Sequence, residues 1–445
     1  MTPTTPLALL IMVLALWLGP RRGFWLVAVA LPFGSAAALS VGGTGTLSLA
    51  DAALISLWLA WGLRDPRLTG LSAALTPGAP GTALIALLLW AGLGAMILPE
   101  LLSARTEVYV AVQREGAAVW QRVPLAPGPG ALGQCLRLAL SVSALLLAQH
   151  VLRQGGAARG PPVVLAAATL MHAALAGADL ASHTMGMPHL LDPLRSMRAM
   201  MLDNQVVGGV KRLVGGFPEP AGFAYFTIGL YAFWLRLWLS DHAPRGAGAL
   251  TLLCGALLLR STSSAAWACG AVVTLWILAR HGRPGVERGQ AVVLACLPGA
   301  LGLLVIAWLT VPWLQGLTDQ LLVQKLASVS GAERQSWALQ SLRNLVETGG
   351  LGTGLGMSRS SGWLFACLGS LGVIGTGLYL KALAPVLFGS PDPSRPMTDV
   401  VILRAAQSGA GAILLQALLT RPHPDLGLFF AVLAGSVLGL RQRSI

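Results

Sequence analysis

TPLALLIMVLALWLGP, residues 5–20, carries no ionisable side chain, and apolar runs of this kind recur to the far end of the chain. Many reach about 18 or more residues, enough for a helix to cross roughly 30 Å of hydrocarbon. Of the 445 residues, 55% are hydrophobic and 11% charged, with a mean hydropathy of +0.71. A soluble domain holds about a quarter charged residues. Backbone groups in lipid need internal partners, which leaves helices or a closed barrel, and long Leu/Ala/Val runs without alternation exclude the barrel. The chain therefore reads as an all-α polytopic membrane protein, a single integral membrane domain over 1–445 with no separate soluble domain. The opening run lacks a basic segment and a small-residue cleavage site, so it reads as a retained helix and not a signal peptide.

About 12–13 transmembrane helices are expected, over roughly 5–19, 24–41, 47–63, 82–103, 134–152, 162–180, 220–239, 246–260, 263–280, 289–311, 363–388, 399–419 and 424–440. Polar RSTSSA (260–265) marks a tight turn or a broken helix. With this count Arg21, Arg22, Arg64, Arg67, Arg153, Arg159, Arg280, Arg283, Arg288, Arg441 and Arg443 share one side, which short basic loops assign to the cytoplasm. Three longer loops then face outward, 104–133, 181–219 and 312–362. The last two hold Arg195, Arg198, Lys211, Arg212, Lys325, Arg334, Arg343 and Arg359 against few carboxylates. Such a set is either a solvated surface or a gathering of guanidiniums around a large anionic ligand. The net charge of +13 agrees with both; part of it is cytoplasmic-loop bias and contact with anionic lipid.

The five cysteines (Cys135, Cys254, Cys269, Cys296, Cys367) lie in apolar runs without a CxxC and read as core residues. Metal-ligand spacings are absent, so neither metal nor cofactor is expected. The basic groups lie in loops between spans, which argues against nucleic-acid binding.

Three stretches have the makings of chemistry. In KRLVGGFPEPAGFAYF (211–226), Arg212 precedes the Gly215–Gly216 flexure, and Glu219 sits between two prolines where a helix begins. Glu219 there is either a helix cap or a functional carboxylate. In GAERQSWALQSLRNLVETGGLGTGLGMSRSSGW (331–363), Arg334, Trp337 and Ser341 recur at helical spacing, with Ala338, Leu342 and Leu345 as the apolar side of an amphipathic helix lying on the outer membrane surface. The alternating glycines, Gly354 and Gly356 among them, are expected to let backbone N–H groups approach a ligand. Arg359, flanked by Ser358, Ser360 and Ser361, adds bidentate charge-assisted bonds to phosphate oxygens; the alternative is a turn with Arg359 snorkelling to the interface. The spacing fits neither a Walker A loop nor a dinucleotide fingerprint. In LLLRSTSSAAW (257–267), Arg260 and four hydroxyls stand at the outer end of a span.

Arg334 and Trp337, then G-x-G-x-G, then S-R-S-S and a Gly-rich helix (Leu371 to Gly375), with R-x-x-G-x-F-x-E upstream (Arg212 to Glu219), resemble the bacterial O-antigen ligase/polymerase superfamily, most closely the Wzy-type polymerases. The resemblance covers roughly residues 200–390. It implies a GT-C-like helical fold in the bacterial inner membrane, with the active site facing the periplasm. It also implies glycan transfer from undecaprenyl pyrophosphate without nucleotide sugar or metal. The implied partners are the lipid-linked glycan, the bilayer and a chain-length-regulating copolymerase. Arg212, Arg334 and Arg359 carry over as pyrophosphate holders, with Arg260, Trp337, Ser358, Ser360, Ser361, Gly354 and Gly356 as further substrate contacts. Ligases of the superfamily place a histidine just after the G-x-G loop; here Arg359–Ser360–Ser361 stands there, which favours polymerase over ligase. Glu219 becomes the candidate base, ahead of Glu333 and Glu347. The rival classes are a flippase for anionic lipid-linked glycans, which calls for broken helices in both halves, and a structural subunit of an export complex.

Overall fold

The computed structural model describes residues 2–41, 45–65, 68, 70–114, 117–155, 160–187, 189–197, 205–207, 210–281 and 329–441. The expected span 289–311, the loop segment 312–328, Cys296, Lys325 and Arg67, Arg159, Arg198, Arg283, Arg288 and Arg443 lie outside these residues. The described chain is mostly helical: α1 (Thr5–Ala30), α2 (Leu49–Arg64), a short α3 (Leu71–Ala74), α4 (Pro80–Leu101), α5 (Gly130–Gly155), α6 (Gly160–Thr184), α7 (Pro220–Trp238), α8 (Ala247–Arg260), α9 (Ser264–His281), α10 (Val329–Glu347), α11 (Trp363–Phe388), α12 (Met397–Thr420) and α13 (Gly427–Arg441). Six of them, α1, α4, α5, α6, α11 and α12, are long and apolar enough to cross a membrane, as expected of a polytopic protein.

The apolar runs form a bundle whose described helix ends meet in two groups. At one end Ser35 N donates to Gly216 O at 2.8 Å, Arg359 N to Tyr109 O at 3.0 Å, and Trp363 Nε1 to Pro424 O at 2.7 Å. At the other, Arg64 caps α1 through the Leu16 and Trp17 carbonyls, and Gln407 Nε2 donates to Gly389 O at 2.8 Å. Arg21, Arg22, Arg64, Arg153, Arg280 and Arg441 gather at this second end. Inside, α7 is buried on nearly all sides, and its Trp234 Nε1 donates to Thr169 Oγ1 at 2.9 Å. Helices α5 and α13 approach at backbone distance, since a Cβ on Gly435 would lie 2.2 Å from Leu145 O; small residues set such contacts.

Two helices are broken at a glycine, α1 where the sequence parts the expected spans 5–19 and 24–41, and α11 where a single span is expected. In α1 Gly19 has φ 72° and ψ 179°. A straight helix of 26 residues would be about 39 Å long, yet Thr2 Oγ1 donates to Ala37 O at 2.8 Å. The chain therefore reverses at Gly19, with Pro20 opening the return. The expected span 24–41 is corrected accordingly: its helix ends at Ala30, and Ala37–Val41 pairs with Gly45–Ser48 as an antiparallel hairpin, β1–β2. In α11 Gly372 has φ 66° and ψ −167°. The rings of Trp363 and Tyr379 lie 5.3 Å apart, although sixteen straight helical residues span about 24 Å. The expected single span 363–388 is thus a short arm folded back on a long one.

The break at Gly372 strands backbone groups, and each finds a partner. Gly369 O accepts from Thr353 N at 2.9 Å, Ser370 O from Gly354 N at 3.0 Å and Leu371 O from Trp90 Nε1 at 2.7 Å, while Val373 N donates to Gly350 O at 2.9 Å. The alternating-glycine loop is the strip of backbone that fills the break. A Cβ on Gly372 would meet Gly350 O at 2.3 Å.

Further differences concern the site end. The expected loop 104–133 carries a regular hairpin, β3 (Glu107–Arg114) with β4 (Ala117–Pro124), paired from Glu107↔Pro124 to Arg114↔Ala117. A two-residue pair, β5 (Val206–Val207) with β6 (Val210–Lys211), lies before α7. Helix α10 is amphipathic as expected: Trp337, Gln340, Ser341 and Asn344 are buried against the protein, whereas Leu339, Leu342 and Val346 are 50%, 38% and 78% exposed.

Gly372→Ala should cost about 1–3 kcal/mol from its φ/ψ region alone, before the clash is counted. Gly377→Ala, in open space on the same helix, should leave stability unchanged. Thermal unfolding of the two purified variants checks this; equal melting temperatures would refute the account of the break.

Candidate functional site

A cavity of about 330 Å³ opens at the end of the bundle where the loops meet, and it collects residues from across the chain. Its lining includes Arg212, Glu219, Ser263, Ser264, Arg334, Trp337, Arg359, Ser360 and Ser361, with Gln205, Thr420 and Pro422 completing the walls. Helices α7, α9 and α11 begin beside it, at Pro220, Ser264 and Trp363. Each brings the positive end of its dipole, a setting that favours an anion.

The local sequence explains how each arginine is held. Arg212 follows β6, donating from Nη1 to Gln205 Oε1 at 2.8 Å and from Nε to Thr262 Oγ1 at 3.2 Å. Arg334 projects from the first turns of α10 and is exposed. Arg359 sits in the corner formed by two indoles, its guanidinium 4.1 Å from the Trp120 ring and 4.7 Å from the Trp337 ring, the rings themselves 5.7 Å apart and edge-on. Cation–π contacts of this kind hold a guanidinium without neutralising it; Arg359 Nε is buried without a hydrogen-bond partner. Burial lowers Arg359 below the ordinary guanidinium range, an effect opposed by Glu219 and reinforced by Arg334. Arg212 is lowered by burial and by Arg334, and raised by Glu219. Three cations against one carboxylate leave the cavity with an unmet demand for negative charge.

Glu219 is the N-cap residue of α7, but its side chain makes no capping hydrogen bond. Among the described residues its carboxylate forms no hydrogen bond or ion pair, and Glu219 is exposed and lines the cavity. Ser360 is buried, its Oγ 2.7 Å from Ser341 Oγ, which ties the arginine loop to α10.

Other expected site residues are placed elsewhere. Arg260 donates to the Lys211 carbonyl, bracing the strand that precedes Arg212 without lining the cavity. Ser358 lies 3.5 Å from Thr353 inside the loop. Gly354 packs on α4, where an added Cβ would be 2.8 Å from Gly94 O, and Gly356 packs on Gly130 at 2.5 Å. These two glycines serve backbone packing, not cavity lining. Glu347 accepts from Thr106 Oγ1, Glu333 lies outside the lining, and Arg343 is exposed on α10.

Two of the basic residues expected around the ligand are engaged within the protein. Asp179, fully buried near the end of α6, takes Lys211 Nζ at 2.6 Å and an Arg195 nitrogen at 2.7 Å on Oδ1, and the backbone N–H groups of Val214 and Gly215 on Oδ2. Breaking such a triad costs about 3–5 kcal/mol, so Arg195 and Lys211 are architecture.

Trp120 and the wall made by 420–422 were missed in the sequence. Val108, Val110 and Val112 alternate with other residues ahead of Gly116 in the sequence, a strand pattern that locates the hairpin carrying Trp120. His423, next to the wall, is driven by burial, and then by Arg421 and Arg359, down to about 3. Comparison with family models, curated proteins and solved structures finds no match.

The cavity's three guanidiniums make inorganic pyrophosphate a suitable anionic probe, and Trp120→Ala should weaken its binding about tenfold, close to 1.4 kcal/mol, with the fold intact; a titration that leaves Kd unchanged would show that the indole does not help hold Arg359. A histidine held neutral in the fold stabilises it above the unfolded value of 6.5 and loses that contribution as pH falls toward 3. Melting temperature over that interval should drop more steeply for the unaltered protein than for His423→Gln, and parallel curves would contradict the burial of a neutral ring.

Proposed function

We propose that this chain is a membrane glycosyltransferase that polymerises undecaprenyl-pyrophosphate-linked oligosaccharide units into an exopolysaccharide or O-antigen at the periplasmic face of the bacterial inner membrane. On this reading it has about 12–13 transmembrane helices in a GT-C-like arrangement, and the arginine-rich end of the bundle opposite the cavity faces the cytoplasm. The observation that carries the proposal is the convergence of Arg212, Arg334 and Arg359 on one cavity with a single uncapped carboxylate, Glu219.

The chemistry follows from those groups. An acceptor hydroxyl attacks the anomeric carbon of the donor sugar, its proton passes to Glu219, and the bond to the pyrophosphate oxygen breaks. Negative charge grows on the departing lipid pyrophosphate, and the three guanidiniums and three helix N-termini beside the cavity are the groups that would stabilise it. Fixed donors of this kind are worth about 10²–10³ in rate each, or ~2.7–4 kcal/mol. A positioned base adds ~10²–10⁴.

Purified protein in nanodiscs, given lipid-pyrophosphate-linked repeat units of its host with EDTA present, should yield a ladder of longer glycans. Arg359→Ala and Arg334→Ala should reduce its rate by about 10²–10³. Glu219→Gln should lower kcat with little change in donor KM. A ladder unaltered by these changes would remove the site assignment. Transport of the same substrate across sealed liposomes without elongation would point to a flippase.

A further inference from the structure

A second cavity, of about 210 Å³, adjoins the arginine cavity on the other side of the loop between α12 and α13. The loop is a thin partition: Thr420 and Pro422 line the first cavity, and Arg421, His423 and Asp425 line the second. It is pinned from several sides. Tyr225 OH donates to Leu426 O at 3.0 Å, Arg421 Nε to Asp425 O at 2.8 Å, and Gly427 N to Asp425 Oδ1 at 3.0 Å.

The two cavities differ in charge. The first sets three cations against one carboxylate. The second sets two against two, and they are already paired: Arg137 lies 3.5 Å from Asp51, and Arg421 lies 3.7 Å from Asp425. Nothing there calls for a phosphate. What the second cavity offers is neutral or charge-balanced hydrogen-bonding capacity. Asp51 is fully buried; its Oδ2 caps α2 by accepting from Ser48 N and Oγ, while Oδ1 has no partner. Gln134, Ser141 and His423 line the same space, and among the described residues their side chains make no hydrogen bond. A buried carboxylate oxygen without a partner is costly unless a ligand or water supplies a donor. Unused acceptors, an amide, a hydroxyl and an imidazole suit the mixed donor–acceptor edge of a sugar ring, in which each hydroxyl both gives and takes a hydrogen bond.

We propose that this second cavity is a subsite for neutral sugar residues of the glycan, separate from the cavity that takes its anionic anchor. The assignment of the ligand as a glycan rests on the function proposed above. Asp51 and Gln134 bind ring hydroxyls, Ser141 and His423 shape the floor, and the loop 420–427 places the sugar one backbone strand away from Arg359.

The test uses full-length protein in nanodiscs and, as probe, phosphate-free oligosaccharides released from the host's own surface polysaccharide, observed by saturation-transfer NMR. The unaltered protein should show bound-sugar signals, and inorganic pyrophosphate should not displace them. Ser141→Leu, which fills the cavity, should abolish the signal. Gln134→Ala, on a half-exposed position that tolerates truncation, should weaken binding about tenfold. Arg359→Ala should retain it. Absence of binding by the unaltered protein, or loss in Arg359→Ala but not in Ser141→Leu and Gln134→Ala, would overturn the subsite. The elongation assay separates the two ideas. Sugar binding with no elongation keeps the subsite and sinks the polymerase. Elongation with acceptor and donor KM unaltered in both cavity variants does the reverse.

Discussion

A backbone amide that leaves its helix inside an apolar bundle has no water to turn to. At Gly372 the chain accepts that cost four times over, and four neighbours answer it: Thr353 N, Gly354 N, Gly350 O and the Trp90 indole. The arrangement works only because the approaching strip is glycine at alternate positions. The same strip leads directly into Met357, Ser358 and Arg359, so the register that satisfies α11 also fixes where the arginine loop starts. The fold and the candidate site share one set of hydrogen bonds.

Charge is partitioned with similar economy. The loop segments hold more cations than carboxylates, and a count alone does not separate those paired within the protein from those left for a ligand. Asp179 takes Arg195 and Lys211 out of that pool and uses them to anchor the segment before α7. Arg359 is held differently, by indole faces, which orient a guanidinium without neutralising it. The contrast explains why some arginines in one loop system are structural and others face an open cavity. A carboxylate partner quenches the charge; an aromatic partner preserves it.

Much of this was legible in the sequence, and the failures have physical causes. Hydropathy located most of the described helices to within a few residues, because length and composition suffice for a helix in lipid. It overran at 24–41, where the apolar run continues past the helix end at Ala30 into a hairpin, and it missed the reversal within α11, since a backbone turn at a single glycine leaves composition untouched. Arg212, Glu219 and Arg359 stood out as ionisable residues at helix mouths, where apolar ones are the default, and Arg334 and Trp337 by their helical spacing. Gly354 and Gly356 were misjudged as ligand-facing because close approach to a phosphate and close approach to another backbone demand the same residue. Trp120 lay in a stretch read as a loop, although its alternation was visible. The pairing of Asp179 with Lys211 joins α6 to a strand far along the chain, and no local pattern encodes it.

Helix α10 turns its polar side to the protein and its leucines and valine outward. Trp337, one half of the clamp on Arg359, stands on the inner side of the same short rod. The exposed row of Leu339, Leu342 and Val346 and the indole beside Arg359 thus lie on opposite sides of one helix, so a rotation of α10 about its own axis would move the apolar row and the indole together.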